Sequence, residues 1–214
     1  MVIKEIAKLC SKTKMVQVAN VKDGAGVVTQ WIGDSYGYYP LHGLPVMDKD
    51  AIMTMLDIPA DERNTYGYGE IDFEQVGINI ADVDRREEHL VRWTDGVEVY
   101  NDTDVLDAIM GSTGLWFAKI KYYRPLKDLH GDIMTYLRQR TVGEGGYLVV
   151  KAGMLVVAVM QAYTIGEGYY KHLLNMVDEC RRVLVRNGID PDDVRRARDA
   201  EQLPGQMRMD AEED

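Results

Sequence analysis

Glu70, Asp72 and Glu74 stand at every second position, interleaved with Ile71 and Phe73. If the stretch EIDFEQVGINI runs as a strand, successive side chains point to opposite faces and the three carboxylates share one of them. Hard oxygen donors set out in that way would hold a divalent cation, and with it chemistry on phosphate esters. The plainer reading is the solvated side of an edge strand, where acidic residues discourage association between sheets. No His-x-His, His-Glu-x-x-His or Asp-x-Asp-x-Asp-Gly pattern joins the three. The alternation also slips: Ile71 and Phe73 are odd-numbered, whereas Val76, Ile78 and Ile80 are even, so a bulge or a break belongs near residues 74–75.

The remaining chemistry is thinner. Asp128, His130 and Asp132 in KDLHGD would orient an imidazole for proton transfer, but no nucleophile stands beside them, and His42, His89 and His172 are scattered. Ser11, Ser35 and Ser112 lie outside any Gly-x-Ser-x-Gly elbow. GSTG at 111–114 and GEGG at 143–146 lack both the Gly-x-Gly-x-x-Gly spacing and a following Lys-Ser/Thr, and read as turns. No catalytic set and no cofactor is therefore expected.

Tyrosines are the more informative residues. SYGYY and TYGYG bring Tyr36, Tyr38, Tyr39, Tyr66 and Tyr68, and so many hydroxyls cannot all be buried without partners. Tyr supplies amphipathic contact area at low conformational-entropy cost. Tyr36, Tyr38, Tyr66 and Tyr68 are expected to gather on a surface that meets a protein partner, with Gly37 and Gly67 letting the backbone bend between them.

Composition bounds the partner. The 214 residues are 46% apolar and 28% charged, with a formal net charge of −10, which suits a globular chain with a real core and opposes indiscriminate approach to phosphate backbones. Nucleic acid is not indicated: Arg138, Arg140, Arg181, Arg182, Arg186, Arg195, Arg196 and Arg198 make local basic stretches, but Asp178, Glu179, Asp192 and Asp193 beside the later ones point to exposed helix ion pairs. Two cysteines, Cys10 and Cys180, provide no disulfide framework, and a reducing cytoplasm is expected. The most apolar run, YLVVKAGMLVVAVM, is shorter than a bilayer span and broken by Lys151 and Gly153, so neither a membrane helix nor a signal peptide is read.

The elements that must position these residues follow from periodicity. Val2, Ile3, Ile6, Leu9 and Cys10 predict an opening amphipathic helix. Residues 15–32 read as a hairpin turning at Asp23-Gly24, and HLVRW-TDG-VEVYN as another. Asp48 caps a helix over KDAIMTML that Pro59 stops, DTDVLDAIMG reads as a helix ending at Gly111, and HGDIMTYLRQR as a third. GLWFAKIKYY reads as a strand, and YLVVKAGMLVVAVM as the central hairpin, apolar on both faces. A long helix from Glu167 places Leu173, Val177, Cys180 and Leu184 on one face and ends near Asn187-Gly188. Asp190 and Pro191 restart a short helix before a mobile acidic tail. The expectation is an α+β fold of antiparallel hairpins and short helices, with one domain over 1–188 followed by 189–214. YYPL at 38–41 and YYRPL at 122–126, each followed by Ile-Met-Thr, leave open a duplication with halves of about 1–85 and 86–188.

The run TQWIGDSYGYYPLHGLPVMDKDAIMTMLDI, and YYRPL followed by VVKAGMLVVAV, resemble uncharacterised proteins of prophages and conjugative elements in Gram-positive gut bacteria. The resemblance implies a mobile-element origin and a bacterial cytoplasm, and brings no established activity. At the level of architecture the hairpins and short helices are also faintly similar to the DNA sliding clamp domain. The function expected is a non-catalytic mobile-element protein that binds a protein partner and modulates a host machine. The alternatives are a metal-dependent enzyme on phosphate esters using Glu70, Asp72 and Glu74, and a clamp-like DNA-processing accessory protein.

Overall fold

A computed structural model describes residues 2–85, 87–92, 98–101, 104–111, 114–129, 133–143, 145–164, 167–190 and 193. The chain is α+β and divides into two units, Met1–Thr164 and Ile165–Asp214. Among the described residues, no helix is long and apolar enough to cross a membrane.

Ile6, Leu9 and Cys10 form the buried stripe of helix α1 (Ile3–Thr13), which ends where Lys14 takes a left-handed conformation at φ 53°. Burial pushes the Cys10 thiol up to about 12, a core residue as its spacing predicts. Strands β1 (Met15–Lys22) and β2 (Val28–Gly33) form the expected hairpin. Its loop is longer than a two-residue turn: Asp23 Oδ1 accepts from the backbone N–H of Ala25 (2.9 Å) and Val27 (2.8 Å), and the positive φ falls on Gly26 instead of Gly24. Strand β3 (Gly37–Pro40) then pairs with β2. Helix α2 (Lys49–Met55) is capped as predicted, Asp48 Oδ1 accepting from Ala51 N–H at 2.9 Å. It is stopped by Asp57 in the left-handed region at φ 56°, before Pro59 is reached.

Strand β4 (Gly67–Glu70) returns to lie parallel to β1. The second half adds β5 (Glu88–Arg92), β6 (Glu98–Asn101), β7 (Asp104–Gly111), β8 (Gly114–Lys119), β9 (Ile133–Gln139), β10 (Gly146–Ala152) and β11 (Leu155–Gln161). Hydrogen bonding orders one sheet as β4-β1-β2-β3-β11-β10-β9-β5-β7-β6, with β8 on β7. Phe117 and Tyr163 exchange both backbone bonds (2.9 and 3.0 Å), so β8 meets the continuation of β11 and the strands β11-β10-β9-β5-β7-β8 close on themselves.

The β10-β11 hairpin lies at the centre, as its two-sided apolar sequence predicts. Successive side chains of β10 alternate between two cores. Leu148 and Val150 face one built on α1 and α2, with Ile6, Ile52 and Met53. Tyr147 and Val149 face the other, with Trp31, Tyr38, Phe73 and Ile78.

Several expectations are corrected. DVLDAIM and IMTYLRQ are strands β7 and β9, not helices, because each pairs along its length with a neighbouring strand, β8 and β10. HLVRW and VEVYN do not pair with each other: β5 and β6 both run antiparallel to β7, on the edge opposite β8, with residues 93–97 between them lying outside the described residues. EIDFEQVGINI is strand only as far as Glu70, ahead of the bulge or break expected near residues 74–75, and residues 72–78 form a turn in which Ile78 N–H donates to Phe73 O (2.7 Å). Residues 120–123 leave the strand register for a 3-10 helix, Ile120–Leu126, which contains Pro125. The repeated word therefore folds in two ways: Tyr38–Pro40 is strand and its Ile52-Met53-Thr54 helix, whereas YYRPL is 3-10 helix and its Ile133-Met134-Thr135 strand.

In the second unit, helix α3 (Glu167–Arg186) ends at Gly188, φ 72°, where predicted. Val177 and Cys180 on its expected apolar face are exposed. The short helix and tail from 191 lie outside the described residues, apart from Asp193.

Val150 is wholly buried at the centre of β10, whereas Met154 in the turn is 78% exposed. Val150→Asp should bury an unpaired carboxylate and lower the melting temperature by more than about 10 °C or abolish cooperative unfolding, and Met154→Asp should shift it by less than about 3 °C. Thermal denaturation followed by circular dichroism checks both.

Candidate functional site

The four tyrosines are not brought together. Tyr38 is buried against Phe73, ring centroids 5.2 Å apart, and its hydroxyl donates to Gln17 Oε1. Tyr66 and Tyr68 belong to the opposite core, with β1 and β2 standing between β4 and β3, Tyr66 buried with Lys14 Nζ 4.3 Å over its ring and Tyr68 partly buried. Tyr36 alone of the four is exposed, at 41%, with Lys119 Nζ 5.3 Å over its ring. Gly37 does not serve to bend the chain either: a Cβ there would lie 2.6 Å from Tyr122 Cδ1, so it admits a neighbouring ring.

The carboxylate trio also loses its shared face, since only Glu70 lies in a strand. Asp72 Oδ1 accepts from Glu74 N–H at 2.9 Å and holds a turn, and among the described residues no group of three metal-ligating side chains forms. His130 and Asp132, Ser112 of GSTG and Glu144 of GEGG lie outside the described residues.

Several polar side chains are buried and spent on holding the fold. Arg138, one of the arginines of the locally basic stretches, is wholly buried on β9 and donates from Nε (2.9 Å) and Nη2 (2.5 Å) to Glu87 Oε2, from Nη1 to Asn79 O (2.7 Å) and from Nη2 to Asp82 O (3.1 Å). Lys151 on β10 donates to Glu87 Oε1 (2.7 Å) and to Asp82 O, and lies 4.4 Å over the Tyr136 ring. Tyr147 OH accepts from Asn79 N–H (2.7 Å) and contacts Asn79 O (3.2 Å). Together they strap residues 79–87 onto the sheet.

A second cluster sits at the β2-β3 turn. Asp34 Oδ1 accepts from Tyr36 and Gly37 N–H (both 3.1 Å), and Oδ2 from Tyr122 OH (3.0 Å), while Tyr39 OH donates to Tyr122 O (2.7 Å). Burial holds the Asp34 carboxyl above its ordinary range against these donors, and burial followed by the Asp34 charge raises Tyr39 and Tyr122 as well.

What remains open is one edge of β1. Gly67 N–H donates to Lys14 O and Ile71 N–H to Val18 O (both 2.8 Å), so the even-numbered backbone groups point toward β4, whereas Asp23 N–H on the odd side donates to Val27 O (2.9 Å). After Ile71 the chain turns away, and the backbone N–H and C=O of Asn20 and Lys22 face out past the end of β4. They border a cleft of about 740 Å³ with an apolar floor of Ile71, Phe73, Ile78 and Ile80 and with Asp23, Asp72 and Glu74 beside it. The wall is fixed by Ile78 N–H to Phe73 O (2.7 Å), Thr141 N–H to Gly77 O (3.1 Å) and Arg140 Nη1 to Val76 O (2.9 Å). Gly77, at φ 71°, is required there, since a Cβ would stand 2.4 Å from Val142 N. Sequence reasoning missed Asn20 and Lys22 as edge residues, because the alternation of Ile71 and Phe73 continues past Glu70, where the neighbouring strand stops.

The site and fold define an α+β protein with an acidic, apolar-floored cleft along a free strand edge. The chain matches no protein-family model, and no match is found among curated proteins or solved structures.

Glu87 is the carboxylate shared by Arg138 and Lys151. Glu87→Gln leaves two cations facing an amide and should cost about 3 kcal/mol, read as a lower urea midpoint with an unchanged slope. Asp34→Ala orphans three donors and should cost about 2–3 kcal/mol. Because the native Asp34 carboxyl titrates above its unfolded value, its contribution to stability is full below the unfolded value and is lost as pH rises through the native one. Asp34→Asn, which keeps an accepting oxygen, should therefore gain on the wild type as pH is raised from about 4 toward neutrality in thermal melts.

Proposed function

We propose that this protein acts without catalysis, by binding a protein partner at the cleft beside β1. The observation that supports this reading is the pairing of a free strand edge, Asn20 and Lys22, with an apolar floor and acidic rim in one cavity of about 740 Å³. Such a surface gives main-chain hydrogen bonds for affinity and side-chain pockets for specificity. Arg138, Lys151 and Asp34, the buried groups best placed for chemistry, are engaged in holding the fold. The tyrosine surface is replaced in this role by the cleft.

The test uses Asp72→Asn with Glu74→Gln, which removes two charges while the amide oxygen introduced at position 72 still accepts the turn hydrogen bond. The melting temperature should stay within about 3 °C of the wild type, since both side chains are exposed. Affinity capture from extract of the source cell should recover a stoichiometric partner with wild type and at least about threefold less with the double variant. Equal recovery would remove the cleft from the interface, and turnover of a phosphate ester lost in the same variant would replace this reading with an enzyme.

A further inference from the structure

We infer that the partner presents an extended, basic segment that joins the sheet as an added strand on the free edge of β1; this rests on the protein-binding reading above. The edge is in line with β4: the same even-numbered row that bonds β4 at Lys14 and Val18 continues to Asn20 and Lys22, where nothing among the described residues takes it up. An incoming strand would find two donors and two acceptors already spaced for a ladder, with neighbouring strands about 4.8 Å apart. Its alternate side chains would fall on Ile71, Ile78 and Ile80, the partly or wholly buried apolar floor. Alongside the single Lys22 cation of the lining, basic side chains on the cleft side of the segment would meet Asp72 and Glu74, exposed carboxylates lining the same cleft as that floor on a chain of net charge −10. That charge selects a Lys- or Arg-bearing segment and repels an acidic one.

Proline at position 22 would delete an edge-facing N–H without touching the β1-β2 ladder, because Asp23, Val21 and Ala19 supply that side. Fluorescence anisotropy with the full chain and a labelled peptide of about eight residues, alternating Lys and Val, reads the inference directly. Wild type should bind it; Lys22→Pro should bind about tenfold more weakly at an unchanged melting temperature, and methylating the peptide's backbone nitrogens should weaken it at least as much. The Asp72→Asn, Glu74→Gln variant should also weaken it, and added salt should weaken the wild-type complex.

Methylated and unmethylated peptides binding alike would overturn strand addition, and a Glu-Val peptide binding as well as Lys-Val would overturn the basic partner. If neither peptide binds while wild type still captures its partner in a cleft-dependent way, strand addition is overturned and the protein-binding reading stands.

Discussion

Two buried cations set the terms for this fold. Arg138 and Lys151 project from adjacent central strands into the same side of the sheet, Arg138 wholly buried and Lys151 nearly so. Removing such charges from water is expensive unless each donor finds an acceptor, and here the carboxylates of Glu87 and, 3.7 Å from Lys151 Nζ, of Asp82, with the carbonyls of Asn79 and Asp82, supply them. All of these acceptors lie in residues 79–87, a stretch whose described residues form no helix or strand. The charges thus convert an irregular segment into a fixed wall.

That wall decides what lies on each side of it. Inward, Phe73 and Ile78 cover Trp31, Tyr38 and Val149, giving the sheet a second core where otherwise one face would meet solvent. Outward, the turn over residues 72–78 that precedes the wall, closed by Val76 N–H to Asp72 O (3.2 Å) and Ile78 N–H to Phe73 O (2.7 Å), takes the chain away from β1 after Ile71 and leaves the edge from Asn20 to Lys22 uncovered. The cleft is therefore a consequence of how residues 71–87 are anchored. Its acidic rim carries the same sign as the net charge of the chain, so local and long-range fields reinforce each other there.

The tyrosines show how a residue type with two uses is decided by its neighbours. Tyr38, Tyr39 and Tyr122 are buried because each hydroxyl meets an acceptor inside: Gln17, the Tyr122 carbonyl and Asp34. Those acceptors come from as far as 88 residues away in the chain, so no local spacing announces them. An abundance of hydroxyls argued for exposure only while their partners were unseen.

The sequence by itself determined the elements whose causes are local. The stripe of Ile6, Leu9 and Cys10, the Asp48 cap, the Asp23 loop and the Gly153 turn each act within a few residues, and each element stands where those residues place it. The slip in phase near residues 74–75 fell inside a turn, four residues past the end of β4 at Glu70. Tertiary structure alone decided the rest. Val105, Ile109 and Met110 fit a helical stripe, and so do Ile133, Met134 and Leu137, but β6 and β8 offer ladders to the first segment and β10 to the second, and the strand form wins. Whether Arg138 is solvated or buried, and whether β1 keeps its edge open, depends on groups 51 and more residues distant. Periodicity reports which side of an element is apolar; it carries no record of which distant acceptor will meet a charge or which strand will stop short.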